Sequence, residues 1–251
     1  MQVFRAVLEL LDYVFFATVE RGKVYETGRF IHNYALAYAL RLARSPYGCL
    51  EQRPDYPREL AELNARGLYL TPAHPIRTSY RLSQWNTVRE AYGFGKKPQS
   101  LGYPDWGFAR VLAPGSSFEF YVLAARPDAW AGLPSLRALG GSGVVYVRLG
   151  KFLGKARVRF SLAEEVMQRR GPYTATVLRD RAAAGEAASG LLLNWRDLPA
   201  EPVSCTIYPA TLPTKLIADP QFLDGDHYVA RFEGLQVVLP AGMRFLARTG
   251  T

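Results

Sequence analysis

The chain has 251 residues, 49% of them hydrophobic, which is enough apolar material for a folded core and excludes a disordered protein. Its apolar runs are too short to cross a bilayer, and the N-terminal stretch carries Glu9 and Asp12, so we expect neither a membrane span nor a signal peptide. The net charge is +9: residues 1–159 hold 22 basic and 12 acidic side chains, against 9 and 10 in residues 160–251. This asymmetry favours a polyanion bound to the first part of the chain over charge that serves solubility alone.

The first part of the chain is predicted to alternate strands with one main helix. Residues 2–10 alternate apolar and polar side chains, as a strand does, and residues 15–25 form two β-prone pieces around a turn. Residues 31–44 contain no Gly or Pro and predict a buried helix with Arg41 and Arg44 in its last turn. We also expect short helices near 57–66 and 133–141, and strands at 117–125, 144–150 and 155–162.

The last third alternates short β-prone runs with Pro, Gly and Asp, which predicts a β-rich extension, with residues 181–190 as its most mobile loop. The order of elements predicts an α+β fold with a ferredoxin-like or RRM-like core. Because the aromatic RNP1 pattern of an RRM is missing from the sequence, we do not expect the sheet to bind RNA in the usual way.

Side chains that could carry chemistry are few. The three histidines, His32, His74 and His227, are not clustered, and the two cysteines, Cys49 and Cys205, have no metal spacing, so we predict no metal and no cofactor. Reduced, buried thiols are typical of a cytoplasmic protein. One enzymatic hypothesis is a metal-independent ribonuclease with His32 as general base. The simpler interpretation, which we favour, makes His32 a polar or ligand-contacting residue of the first helical turn.

The run GKFLGKARVRF, residues 150–160, is the most suggestive basic segment. In a strand, Lys155, Arg157 and Arg159 share one face, and the glycines beside the preceding turn allow its backbone to approach a ligand. Lys151 and Phe152 would form a charged tip with an aromatic ring able to stack on a base. The alternative is an ordinary solvated strand face.

A second basic segment, residues 73–104, mixes aromatic and basic side chains with a single acid, Glu90. This composition suits a protruding hairpin that wedges against RNA. It suits equally a basic surface loop whose aromatic rings complete the core.

The stretches VYETGRFIHNYALAYAL and VRLGKFLGKARV, in this order, resemble the handle-binding RAMP subunit of the type I-D CRISPR Cascade complex, the group-five Cas protein of the Csc family. The resemblance implies a ferredoxin-like/RRM-like RAMP core in residues 1–160, with a β-hairpin thumb at about 73–104 or within 15–25. It assigns residues 161–251 to a β-rich C-terminal extension packed on that core.

The resemblance also implies a non-catalytic subunit that holds the 5′ handle of the CRISPR RNA. Its implied protein partners are the Cas10-like large subunit and the first backbone RAMP subunit of the filament, and target DNA would be reached through the complex. A relative in another subtype cleaves precursor RNA, so a ribonuclease that processes precursor CRISPR RNA stays open as the alternative. A scaffold protein that binds no nucleic acid is the third hypothesis.

In this family the turn before the first helix and the helix start lie against the handle, where backbone N–H groups favour an anion. The resemblance implies that the GKF loop places Lys151 and Phe152 there too. The residues that we predict to contact RNA are Arg21, Lys23, Thr27, Gly28, Arg29, His32, Asn33, Arg77, Arg81, Lys96, Lys97, Arg148, Lys151, Phe152, Lys155 and Arg157.

Overall fold

The structure, a computed structural model, describes residues 1–22, 24–45, 54–87, 105–130, 143–180, 190–208 and 214–248. Within these residues the chain is mostly β, with short helices. The elements up to residue 130 are β1 (Gln2–Leu10), β2 (Val19–Arg21), β3 (Val24–Glu26), α1 (Asn33–Ala39), α2 (Tyr56–Glu59), α3 (Ala61–Arg66), β4 (Leu68–Leu70), β5 (His74–Arg77), β6 (Tyr80–Thr87), β7 (Asp105–Leu112) and β8 (Ser117–Ala124). The later elements are β9 (Val144–Leu149), β10 (Gly154–Leu162), β11 (Glu165–Arg170), β12 (Tyr173–Thr174), β13 (Val177–Arg179), β14 (Leu192–Asn194), a 3-10 turn (Trp195–Asp197), β15 (Ser204–Ile207), β16 (Leu216–Phe222), β17 (Asp226–Phe232) and β18 (Leu235–Pro240).

The central sheet has the strand order β4-β8-β1-β10-β9, with β5 also paired to β8, and its strands pair antiparallel. Strand β1 lies in the middle, paired with β8 on one side and with β10 on the other, and its alternating side chains Phe4, Ala6 and Leu8 are buried on one face. Helix α1 contacts β4 and β9 and buries its own Tyr34 and Leu36. The strands predicted at 2–10, 117–125, 144–150 and 155–162 are confirmed.

A second sheet has the order β2-β3-β7-β6. Strands β6 and β7 are antiparallel arms that run from Tyr80 opposite Leu112 to Thr87 opposite Asp105. Strand β3 runs parallel to β7 on its other side. Both segments considered for the thumb, 73–104 and 15–25, therefore supply strands to one sheet, while residues 88–104 lie outside the described part of the chain.

The C-terminal third forms two four-stranded sheets, with the order β11-β17-β18-β13 in one and β12-β16-β14 in the other, where β15 also pairs with β16. It covers one face of β8, where the Phe232 ring lies 6.1 Å from that of Tyr121. One buried apolar cluster contains both Phe4 and Leu239, so it runs across residue 160. The proposed division of the chain at that residue stays a prediction.

Helix α1 is shorter than the predicted helix over 31–44, and the placement of Arg41 and Arg44 in its last turn is wrong. The Leu42 N–H donates to Ala37 O and the Arg41 N–H to Tyr38 O, both at 2.9 Å, which is the Schellman pattern of a helix C-terminus. Arg41 occupies its left-handed position with a φ of 57°. Glycine usually marks this position, so an arginine there gave no stop signal in the sequence.

Candidate nucleic-acid interface

The start of α1 is closed by side chains of the chain itself. His32 is the N-cap, and its Nδ1 accepts a hydrogen bond from the Tyr34 backbone N–H at 3.2 Å. Its Nε2 therefore carries the proton and donates to Thr214 Oγ1 at 2.9 Å. Burial lowers the pKa of His32 from 6.5 to about 3, although a hydrogen bond to Thr214 opposes this shift. The imidazole is neutral at physiological pH, and both of its nitrogens are used inside the fold.

Asn33 and Asp197 tie this helix start to the C-terminal third. The Asn33 amide donates to Asp197 Oδ2 at 2.7 Å and to Leu70 O at 3.2 Å, and its Oδ1 accepts from Asn194 at 3.2 Å. Asp197 accepts further hydrogen bonds from Tyr34 OH, Tyr69 OH and the Leu246 N–H. Burial raises the pKa of Asp197 from 3.8 to about 6, while these hydrogen bonds hold it down.

His32 and Asn33 are 8% and 0% exposed, so they lie inside the fold and not on the surface where we placed them. The physical reason is that an amide and an imidazole at a helix start serve the backbone and buried partners as readily as a ligand. Contact between RNA and either side chain stays an untested prediction, and this burial counts against it.

The turn before the helix is also packed. Thr27 is buried, and its Oγ1 accepts a hydrogen bond from the Phe16 N–H at 3.1 Å. The Gly28 N–H donates to Thr18 Oγ1 at 3.0 Å, and a Cβ on Gly28 would lie 3.0 Å from the Phe30 ring. The Phe30 ring thus lies close against Gly28, which we predicted to contact RNA.

The turn between β9 and β10, residues 150–153, lies against the segment that follows β1. The Lys151 N–H donates to Phe15 O at 2.8 Å, and the rings of Phe152 and Phe15 stack with centroids 5.0 Å apart. Gly150 has a φ of 72°, and a Cβ there would lie 2.6 Å from Phe15 O. Gly150 and Gly154 do allow a close approach, but the group that approaches them is the chain's own backbone and not a ligand.

The side chains on this turn nevertheless face solvent. Lys151 is exposed and Phe152 is 58% exposed. In the segment that holds this turn, Tyr13 OH accepts a hydrogen bond from Arg81 Nη1 at 3.2 Å, so β6 is joined to the same segment. We call Tyr13, Phe15, Arg81, Lys151 and Phe152 the loop cluster, since it combines an exposed ring with two cations.

The strands that leave this turn expose one face of the central sheet. On β10 the alternation of buried and exposed side chains confirms the predicted shared face of Lys155, Arg157 and Arg159. Lys155 Nζ lies 4.8 Å from the centroid of the Tyr146 ring on β9, and Arg157 pairs with Glu9. We call the side chains on this side of the two strands the open face; they are Val144, Tyr146, Arg148, Lys155, Arg157 and Arg159.

Three other predicted cations contact different parts of the molecule. Arg29 is exposed and near Tyr80: burial raises the pKa of Tyr80, and the positive charges of Arg110 and Arg29 oppose that shift. Arg21 lies 3.8 Å from Glu26. Arg77 Nη2 donates to the carbonyl of Gly115 at 3.0 Å. Lys23, Lys96 and Lys97 lie outside the described residues, as do Cys49 and the predicted features at 133–141 and 181–189.

Sequence reasoning missed Tyr13, Phe15 and Tyr146 as site residues. Tyr13 and Phe15 belong to an aromatic run directly after β1, and Tyr146 alternates with Arg148 at outward positions of its strand. That alternation was a usable signal. The contact of residues 13–15 with a turn 135 positions later in the chain was not visible in any local pattern.

The described ranges also bear on metal sites and membrane spans. No group of three or more His, Cys, Asp or Glu side chains in these ranges is arranged to hold a metal ion. In the same ranges, no helix has the length and apolar character needed to cross a membrane.

Comparisons with known proteins add the following. No curated protein matches the sequence. Solved structures that match include a chain of the type III-B Cmr-beta complex bound to cognate target RNA and AMPPnP, with 11% identity, a TM-score of 0.40, and coverage of 93% of this chain and 86% of that chain. Others are a CRISPR protein from Archaeoglobus fulgidus (12% identity, TM-score 0.37, coverage 96% and 100%) and a chain of a type IV-B CRISPR complex (11%, 0.33, 64% and 90%).

These structural similarities are too low to carry an argument about the site. A family model is more informative, because it matches residues 1–248, almost the whole chain. This match confirms the resemblance found in the sequence: the chain belongs to the type I-D CRISPR-associated protein Cas5/Csc1 family.

Proposed function

We propose that this chain is a non-catalytic subunit of a type I-D CRISPR interference complex and that it binds the 5′ handle of the CRISPR RNA. The observation that carries the proposal is the loop cluster, where the exposed ring of Phe152 follows the exposed Lys151 and stacks on Phe15, and where Arg81 is joined to the same segment through Tyr13. Exposed rings stack on unpaired bases, and Lys and Arg bind phosphates. Phe15 holds the backbone of the turn and the Phe152 ring in place before RNA arrives, which lowers the entropic cost of binding.

The geometry of the histidines supports a role in holding RNA and not in cutting it. A general base must reach the proton that it abstracts and must have a pKa near the working pH. His32 is buried with a pKa lowered to about 3. His227 is buried and stacks on Tyr173 with ring centroids 4.3 Å apart, and His74 is half-buried with a lowered pKa that burial causes.

The strand order supports a ferredoxin-like core. In that fold the first strand lies between the third and fourth, and the second lies at the edge beside the third. Strands β10, β1, β8 and β4 have this order with antiparallel neighbours, and α1 comes between β1 and β4 in the chain. The helix predicted at 133–141, which lies outside the described residues, is our candidate for the second helix of such a core, and the paired strands β6 and β7 would belong to the thumb.

The C-terminal third supports the proposed contacts with the Cas10-like large subunit and the backbone subunit. It has 9 basic and 10 acidic side chains, so it lacks the positive charge of the first part. It also exposes large apolar side chains, as protein interfaces do; these are Leu178, Val203, Ile207 and Leu223. Target DNA would meet this subunit through the assembled complex.

Binding of handle RNA to the purified full chain, measured by fluorescence anisotropy across a salt series, tests the proposal. Phe152→Ala should weaken binding by about tenfold through lost stacking. Lys151→Ala should lower the slope of log affinity against log salt by about 0.7, the value of one phosphate contact on a single strand. Leu223→Ala, which removes a side chain that is 75% exposed, is the matched control and should change neither.

Affinity that neither Phe152→Ala nor Lys151→Ala alters would contradict this placement of the handle.

A cleavage assay on precursor CRISPR RNA distinguishes the ribonuclease alternative from the proposed function. We expect no metal-independent cutting by the wild type, and cutting that His32→Ala abolishes would replace the proposal with the enzyme.

A further inference from the structure

The open face is the part of one side of the central sheet that the C-terminal third leaves uncovered. On β8, the same side of the sheet carries Glu119 and Tyr121, which are 3% and 1% exposed because the C-terminal third packs on them. On β9 and β10 the outward side chains remain in solvent, with Tyr146 58% exposed. The edge of the C-terminal third therefore divides this side of the sheet into a covered and an open part.

Three of the four cations of the open face form no ion pair with the side chains that the structure describes. Arg157 pairs with Glu9, but in the described part of the chain no acidic side chain forms an ion pair with Arg148, Lys155 or Arg159. Arg148 and Lys155 stand directly opposite each other on neighbouring antiparallel strands. Like charges at that position destabilise a sheet. A bound polyanion would relieve this repulsion, and it fits the sign of the surface.

Tyr146 lies among these cations, directly opposite Arg157. The Lys155 ammonium is 4.8 Å from the ring centroid, which restrains the ring without covering it, since more than half of the side chain stays exposed. An exposed ring among cations can bind an unpaired base, because the ring stacks on the base while the cations contact the backbone. A duplex keeps its bases stacked inside and would offer this ring only backbone.

The open face also continues the loop cluster. Arg148 and Lys155 flank the turn at residues 150–153, and Arg148 Nη1 donates to Leu153 O at 3.1 Å. Arg157 and Arg159 follow along β10 at intervals of about 6.8 Å, away from the turn. A strand held at Phe152 can therefore run along β10 over a regular row of positive charges.

We propose that the open face is a second binding surface for single-stranded nucleic acid, with Tyr146 stacking on a base and Arg148, Lys155 and Arg159 contacting phosphates. The proposal rests on the proposed function, because it extends the path of the strand held at the loop cluster. It agrees with our expectation that the sheet does not bind RNA in the usual way, because a single ring among cations would stack on a base without the RNP1 pattern.

The test uses the full chain and two labelled RNAs, the handle alone and the handle extended by ten unpaired nucleotides. Tyr146→Ala should weaken binding of the extended RNA by about tenfold and leave binding of the handle alone unchanged. Tyr146→Phe should keep most of the affinity, because the ring is what stacks. Leu162→Ala, which removes a side chain that is 50% exposed at the end of β10, is the control for loss of an exposed side chain and should have no effect.

The outcomes separate this proposal from the proposed function. If Phe152→Ala weakens both RNAs while Tyr146→Ala weakens neither, the open face is not a binding surface and the handle site stands. If the wild type binds neither RNA, both proposals fail. If a duplex of the same extension loses as much affinity on Tyr146→Ala as the single strand does, stacking on an unpaired base is overturned.

A DNA strand of the same sequence identifies the source of the ligand. A loss with Tyr146→Ala that is confined to RNA assigns the surface to the guide. A loss confined to DNA assigns it to a target strand, and equal losses assign it to the phosphate and base chemistry that both share. In each case Arg159→Ala should lower the salt slope by about 0.7, and an unchanged slope would remove Arg159 from the surface.

Discussion

The helix start at residues 32–33 and the turn at residues 150–153 are both polar interruptions beside apolar runs, but the fold treats them in opposite ways. At the helix start, the hydrogen-bonding groups of His32 and Asn33 are directed to Thr214, Asn194 and Asp197 inside the protein. At the turn, the backbone is fixed to Phe15 while the Lys151 and Phe152 side chains remain in solvent.

This difference teaches that one sequence pattern can contain either polar groups that bond within the fold or polar groups that stay available to a ligand. A buried amide or imidazole must find partners, because leaving it without any costs about 1–3 kcal/mol. An exposed lysine carries no such cost, and it is available to a ligand. We therefore assign the helix start to stability and the turn with its open face to binding, and the following predictions test that division.

The largest expected effect is on stability, at Asp197. Asp197→Ala removes the acceptor of hydrogen bonds from Asn33, Tyr34 and Tyr69 and leaves buried donors without partners. We expect a loss of about 3–5 kcal/mol in the free energy of unfolding, measured by urea denaturation. Asp180→Ala, at an exposed aspartate, should change it by less than about 0.5 kcal/mol. Equal effects of the two variants would mean that the buried network does not hold the C-terminal third.

The second prediction concerns pH, where two groups of this network act in opposite directions. Burial raises the pKa of Asp197 to about 6, so the stability it contributes is fully present below pH 3.8 and is lost as pH rises through 6. Burial lowers the pKa of His32 to about 3, so its contribution is present above pH 6.5 and is lost as pH falls through 3. Asp197→Asn removes only the first contribution.

Between pH 4 and 6 the stability of Asp197→Asn should therefore rise more steeply with pH than that of the wild type. Urea unfolding at pH 4, 5, 6 and 7 measures both curves. Parallel curves would show that Asp197 has the same pKa in the folded protein and in the unfolded chain, which would contradict its burial.

A smaller effect on stability is expected at Gly150, where the turn packs against Phe15. A Cβ there would lie 2.6 Å from Phe15 O, and the φ of 72° disfavours any other residue. Gly150→Ala should lower the free energy of unfolding by about 1–3 kcal/mol. It should also lower the affinity for handle RNA, because the Phe152 ring is displaced. Gly234→Ala is the control: it has a similar φ of 69° and nothing within 4 Å, so it should share the backbone strain but leave RNA affinity intact.

The smallest effect should come from Arg21, one of the predicted RNA contacts. Its guanidinium lies 3.8 Å from Glu26, so its charge is partly neutralised within the protein. Arg21→Ala should change the affinity for handle RNA less than twofold and leave the salt slope unchanged. A change as large as that of Lys151→Ala would extend the interface to β2 and weaken the contrast between paired and unpaired cations.

The alternation along β1 and β10 was sufficient to predict both strands and the face that Lys155 and Arg157 share, because side-chain direction in a strand depends only on local spacing. The end of α1 was not predictable, since Arg41 takes a conformation that glycine usually signals. Nor was the burial of Asn33, because its partners Asp197 and Asn194 are more than 160 residues away in sequence. Long-range partners of this kind decide whether a polar side chain is available to a ligand.

The central claim is that nucleic acid lies on the loop cluster and the open face and not at the helix start or the C-terminal third. Photo-crosslinking of 4-thiouridine-substituted CRISPR RNA in the assembled complex, followed by mass spectrometry of the linked peptides, tests it directly. The account predicts crosslinks to peptides that contain Phe152 and Tyr146. Crosslinks confined to peptides of residues 190–248, with none at residues 144–160, would contradict it.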